Sequence, residues 1–202
     1  PHRPALRNGE MTALLLGRSG SAIRRPDHAF RLLVSATVVS AWALVVVGGA
    51  VRVSESGLGC PDWPLCDGRV VPAGRKAPIV EYTHRAAAAI VVVLLIATTV
   101  WAWRRYRSRT DIAVPLYGAL ALVPLQALLG ATVVWLELPE SIVGVHFMVG
   151  MVMLALCTQA CVAAWRGHRV VSRPFRHVAV AATAVALLVV SLGAAVVSAD
   201  AE

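Results

Sequence analysis

Charge is scarce in this chain. Asp, Glu, Lys and Arg make up only 15% of its 202 residues, whereas 58% are hydrophobic, and the mean hydropathy is +0.71. A soluble globular domain carries about 25% charged residues, so that class is excluded. Residues 1–29 contain no apolar core of their own and are polar and Arg-rich. No cleavable signal peptide is therefore read there; the segment is expected to be a basic cytoplasmic tail, with Met11 a candidate initiator. Cysteine is rare as well, with four residues in all. Cys60 and Cys66 have five residues between them, which is neither zinc-site nor thioredoxin spacing.

Long apolar runs are what the chain does have. Five are read, approximately Phe30 to Val51, Glu81 to Trp103, Ile112 to Trp135, Ile142 to Trp165 and His177 to Ser198. Each approaches or exceeds the roughly 20 residues that span a bilayer, and only helices satisfy their backbone there at that length. The expected fold is an all-α integral membrane protein, a four-helix transmembrane bundle plus a fifth transmembrane helix.

The net charge of +8 would suit nucleic acid, but its placement points elsewhere. Arg18, Arg24, Arg25 and Arg31 flank the start of the first run. Arg104, Arg105, Arg107 and Arg109 separate the second from the third, and Arg166, Arg169, Arg173 and Arg176 the fourth from the fifth. Basic residues in alternate loops mark the cytoplasmic side. The partner is thus membrane lipid rather than nucleic acid, and loop 52–80 and the turn at Glu137–Glu140 are expected outside the cell membrane. A long connection in a compact protein usually carries function, and this one holds Pro61, Pro64, Pro72, Cys60 and Cys66. An oxidising exterior permits a Cys60–Cys66 disulfide, structural or redox-active. Cys157 and Cys161, one turn apart in the fourth run, read as small packing residues.

Polar side chains at membrane depth are expensive, and by default they mark function. Glu81 and His84 share one helical face a turn apart. His146 opens the fourth run much as His84 opens the second, so on parallel helices both rings sit roughly 5 Å below the outer ends. Such a pair either clamps a haem iron from both sides, or each ring is interfacial with its own hydrogen bond. Glu81 either accepts a proton, orients His84, or caps the helix. Arg85 either pairs with an anionic group such as a haem propionate or snorkels to the interface. Gln126 and Gln159 need partners inside the bundle, while Gly130, Gly144 and Gly150 allow close helix approach or room for a flat ligand. His2, His28, His168 and His177 read as solvated.

The run Ser56-Gly-Leu-Gly-Cys-Pro-Asp-Trp-Pro-Leu-Cys66, followed by Glu81-x-x-His84-Arg85, resembles the haem A synthase family. So does Gln126-Ala-Leu-Leu-Gly-Ala-Thr-Val133 with His146 beyond it, and the likeness covers approximately residues 30–200. The resemblance implies eight spans in two pseudo-two-fold halves, each with a histidine pair. It implies that His84 and His146 hold the iron of haem O, that Glu81 is the essential carboxylate and that Arg85 positions propionates. It further implies that Cys60 and Cys66 are the loop cysteines, and that a ring methyl of haem O is oxidised to formyl for a terminal oxidase. Haem B belongs to the second half. Haem O synthase, a protohaem farnesyltransferase, is the implied donor of substrate, beside an unidentified electron-transfer partner.

The domains expected are a tail (1–29), a haem-binding half (30–165) and the opening of a second half (166–202). A repeat agrees with this division. At an offset of 145 residues Phe30-Arg31 falls on Phe175-Arg176, and Gly48-Gly-Ala-Val51 on Gly193-Ala-Ala-Val196, although Ala/Val-rich helices also align by chance. A chain ending one helix into the second half is expected to be truncated, or completed as a homo-oligomer. Two rival readings remain: a bis-histidine electron-transfer subunit without chemistry on the porphyrin, and a thiol–disulfide protein built on Cys60 and Cys66.

Overall fold

The computed structural model describes residues 26–72, 74, 76–166, 177–178, 180–186 and 188–189. Helix α1 covers His28–Val53 and α2 covers Lys76–Tyr106. Two shorter helices follow, α3 at Thr110–Ala121 and α4 at Val123–Trp135, before α5 at Glu140–Arg166. Taken together as one segment, Thr110–Trp135 joins α1, α2 and α5 in being long and apolar enough to cross a membrane, so there are four such spans among the described residues. Among the described residues there is no strand, only an isolated bridge between Cys66 and Arg69. The described residues from 177 to 189 are helical. The rest of the expected fifth span and the tail before residue 26 lie outside the described residues.

Local chemistry explains the boundaries. Asp27 caps α1, its carboxylate accepting from the Phe30 N–H at 2.8 Å. Helix α2 starts at Lys76, five residues before the expected Glu81. Pro78 falls in its first turn, where no intrahelical N–H is required. The third span is not continuous. Pro124 stands at the start of α4, and a ring there clashes with the carbonyl four residues back and removes a donor. The helix is accordingly interrupted at Leu122.

The helices form a ring in which α1 touches α2 and α5, α2 touches α3, and α5 closes on α3 and α4. Helices α2 and α5 therefore stand on a diagonal. Packing is uneven along the bundle. At the arginine-rich end Phe30, Val34, Leu95, Ile112, Leu116 and Ala160 are buried in one cluster. Tyr106 donates to Asp27, and the hydroxyls of Thr37 and Thr98 pair at 2.8 Å between α1 and α2. Arg109, one of the arginines read as marking the cytoplasmic side, is only 2% exposed. Its fork binds Asp111 at 2.8 and 2.7 Å and the Ala163 carbonyl at 3.1 Å.

The opposite half is looser. Among the described residues none is buried in α1 beyond Thr37, in α2 between Glu81 and Val91, in α5 before Cys157, or from Leu120 to Gly130. Both histidines of interest lie in this layer.

Candidate functional site

The loop between α1 and α2 folds down onto the first turns of α2. Gly59 makes this possible: a Cβ there would stand 2.4 Å from the Ala77 carbonyl carbon and 2.6 Å from the Pro78 nitrogen, so any side chain would force loop and helix apart. A disulfide joins Cys60 to Cys66. Asp62 closes the loop on itself, its carboxylate accepting from the Asp67 N–H at 2.6 Å and the Gly68 N–H at 2.9 Å. The Gly68 bond in particular holds the Asp62 carboxyl below the ordinary aspartate range; the Asp67 N–H and the Arg85 charge add to it, against a smaller opposing effect of burial.

Arg85 ties this loop to the bundle. Nη1 donates to the carbonyls of Asp62 at 2.8 Å and Leu65 at 2.7 Å, with Pro64 at 3.5 Å; Nη2 reaches the Cys60 carbonyl at 3.4 Å and the Glu81 carboxylate. Glu81, 4% exposed, accepts with its other oxygen from the Cys60 N–H at 2.8 Å. Both carboxylate oxygens and both terminal guanidinium nitrogens are thus engaged with the loop or with each other. The propionate-binding position expected of Arg85 is filled here by backbone carbonyls, acceptors that no residue pattern announces. Trp63 packs edge-on against Trp135 at 6.3 Å. Leu138 lies over Gly57, whose added Cβ would be 3.0 Å from its Cδ2. The loop therefore also touches the α4–α5 turn.

Beneath it lie the two imidazoles. His84 is eight residues past the start of α2 and His146 six past the start of α5, so at 1.5 Å per residue their depths are roughly 12 and 9 Å. Helix α2 starts five residues and α5 two residues before the expected positions, which deepens both values and leaves them within about 3 Å of each other. The two imidazoles stand on diagonal helices, close enough for the charge of His146 to bear on His84. The Nδ1 atoms of His84 and His146 and the Oε1 of Gln126 are buried without a hydrogen-bond partner. Gln126 finds its expected partner in His146: its Nε2 donates to the His146 carbonyl at 3.0 Å and lies 3.4 Å from the ring Nε2. Of the expected glycines, Gly130 sits against the His146 ring and Gly150 against Gln126, while Gly144 has nothing within 4 Å. Gly48, noted in the sequence only as part of a repeat, sits against His84.

Among the described residues no three His, Cys, Asp or Glu converge on one point. A porphyrin carries four nitrogen ligands of its own and asks the protein only for axial ones. Two half-buried imidazoles with buried, orphaned Nδ1 atoms, in a layer without fully buried side chains, fit such a group by their chemistry. Cys157 is buried, and Cys161 contacts Ser35 at 3.5 Å, as packing residues do. A groove of about 340 Å³ lined by Ala97, Trp101, Arg104 and Arg105 lies toward the other end of α2, away from the histidines.

Residues 31–202 match the COX15-CtaA family, described as cytochrome oxidase assembly protein. The chain is 30% identical to a haem A synthase of Exiguobacterium sp. over 156 residues, 75% of this chain and 52% of the relative. It is 34% identical to the haem A synthase of Symbiobacterium thermophilum over 138 residues, 67% and 45% of the two chains. It is also 37% identical over 127 residues to the protohaem IX farnesyltransferase 1 of Natronomonas pharaonis, covering 63% of this chain and 26% of that one. The chain spans about half the length of the haem A synthases it matches. With a match that runs from the first helix to residue 202, this chain belongs to the COX15-CtaA family of cytochrome oxidase assembly proteins, the haem A synthase family.

Proposed function

We propose that this chain supplies the haem-holding half of a haem A synthase, in which a ring methyl of haem O is oxidised to a formyl group. The observation that carries the reading is the pair His84 and His146, depth-matched on diagonal helices, with buried Nδ1 atoms that no protein group satisfies. When bound, haem O brings both the iron that two imidazoles ligate and the methyl carbon that is oxidised. Two hydroxylations of that carbon, each taking its oxygen from water and releasing two electrons and two protons, would give a geminal diol that loses water to the formyl group, so an electron-accepting partner is required. His84 and His146 would hold the ligand through its iron. Glu81, one turn from His84, is the group placed to take up a proton, and releasing it for that task means giving up the Arg85 or Cys60 contact. Arg85 anchors the loop over the site, and it reaches a propionate only by exchanging one of its carbonyls.

Arginines in alternate connections support a topology with the basic end cytoplasmic and the disulfide loop outside the cell membrane. Half-length coverage supports a complete enzyme with a second half, begun in residues 166–202, that holds haem B. A second copy of this chain is the alternative completion. The farnesyltransferase of Natronomonas pharaonis carries a segment similar to this chain within one polypeptide, which supports a haem O-forming prenyltransferase as the supplier of substrate.

One observation favours the rival electron-transfer reading: both Glu81 oxygens are already committed to structure. The full chain, expressed in membranes with a haem O source, separates the two. Glu81→Ala is expected to keep bound haem and lose haem A in extracted pigment. An unchanged haem A yield would remove Glu81 from the chemistry. No haem A even from the unaltered chain, with haem still bound, would favour electron transfer.

A further inference from the structure

A histidine that ligates a metal usually donates its second ring N–H to a carbonyl or carboxylate, and that bond fixes the plane of the ring. The Nδ1 of neither His84 nor His146 makes one, since each is buried without a hydrogen-bond partner; the Nε2 of His146 lies 3.4 Å from Gln126 Nε2, an amide nitrogen rather than a carbonyl or carboxylate. What each ring has instead is a glycine on the neighbouring helix. A Cβ built on Gly48 of α1 would stand 3.1 Å from His84 Cε1, 3.6 Å from its Nδ1 and 3.9 Å from its Nε2. A Cβ built on Gly130 of α4 would stand 3.4 Å from His146 Cε1 and 3.9 Å from its Nδ1. Both rings lean on the helix beside them through the same corner, the carbon between the two nitrogens. Pressure at that carbon turns or displaces both nitrogens together.

We propose that Gly48 and Gly130 are positioning residues that set the planes of the His84 and His146 imidazoles for axial ligation, doing by steric contact what a hydrogen bond to the free ring nitrogen does at other metal-bound histidines. The assignment rests on the bis-histidine reading above and adds what orients the ligands. The neighbouring glycines show that the contact is specific. Gly49, next in α1, and Gly144, in α5 beside His146, have nothing within 4 Å of an added Cβ. Alanine at any of these helical positions raises helix propensity, so a loss confined to two of the four is not a general helix effect.

The test uses the full chain loaded with haem B, comparing Gly48→Ala and Gly130→Ala with Gly49→Ala and Gly144→Ala. The readouts are the low-spin ferric electron paramagnetic resonance signal, which responds to the angle between axial imidazole planes, and the rate of haem loss to an excess of apomyoglobin. Gly48→Ala is expected to shift the signal and speed haem loss by about tenfold or more, the lower range for losing a group that orients a metal-bound histidine. Gly130→Ala should act in the same direction more weakly, because its gap is wider, and the two controls should match the unaltered protein. Shifts no larger than those of the controls overturn the proposal while leaving bis-histidine ligation standing. Absence of a low-spin signal from the unaltered chain overturns both. A haem-free cycle covers the case in which Gly48→Ala loads poorly. The drop in melting temperature caused by Gly48→Ala should vanish in a His84→Ala background, and an equal drop in both backgrounds refutes the contact.

Discussion

Replacing Arg85 by Ala should release the disulfide loop from the bundle while leaving the four spans in place. Two of the Arg85 bonds, to the carbonyls of Asp62 at 2.8 Å and Leu65 at 2.7 Å, are short and charge-assisted. Bonds of that kind contribute about 1.5–3 kcal/mol each, and water can recover part of this at an exposed loop. The larger consequence falls on Glu81, which is 4% exposed and would keep only the Cys60 N–H. Stranding one member of a buried ion pair costs about 3–5 kcal/mol. That range is an upper bound here, because the freed carboxylate can turn outward. A loss of about 3 kcal/mol raises the open fraction of the loop roughly a hundredfold. Hydrogen exchange at the Cys60, Cys66 and Gly68 amides reads this directly, as does tryptic cleavage after Arg69. Arg85→Lys should fall between, because one ammonium cannot fork between loop carbonyls and a carboxylate. Exchange in Arg85→Ala within about twofold of the unaltered protein, against the hundredfold above, would refute the loop-anchor role.

Two further outcomes follow from the loop. Asp62 has a folded pKa below the ordinary value, so its contribution is fully present above the unfolded pKa of about 3.9. It is lost as pH falls below that value and through the folded one. Exchange protection of Asp67 and Gly68 should weaken on acidification in that window, and Asp62→Asn should abolish the pH dependence; a loop equally protected at acid pH contradicts this. Gly59→Ala forces a Cβ against the backbone of Ala77 and Pro78, with an expected cost of about 1–3 kcal/mol from overpacking. Protease sensitivity between Cys60 and Lys76 should rise, whereas a resistant variant would show that the close approach is dispensable.

Much of this architecture is legible in the sequence because bilayer thickness and hydropathy leave few choices. The four described spans lie where their apolar runs predict, since nothing but a helix satisfies twenty apolar residues in lipid. The errors have local causes. The start of α2 lies within Lys76–Val80, where Pro78 reads as a loop residue yet is harmless in a first turn. The break at Leu122 depends on Pro124 inside an otherwise unbroken apolar run. At the site, His84 and His146 are legible because similar offsets from two parallel helix ends place them at similar depths. Arg85 is not, because its acceptors are loop carbonyls that leave no trace in residue identity. Nor are the contacts of Gly48 and Gly130, which depend on which helix neighbours which in the ring. Arg109 carried a readable hint in Asp111, two residues on, that its charge is neutralised within the bundle rather than solvated.

The central claim is that His84 and His146 hold one haem between them, and the spectrum of the purified full chain loaded with haem tests it most directly. The account predicts a six-coordinate low-spin haem in the unaltered protein. It predicts conversion to a high-spin, five-coordinate form, or loss of pigment, in both His84→Ala and His146→Ala. A low-spin spectrum that survives either single substitution unchanged would contradict it.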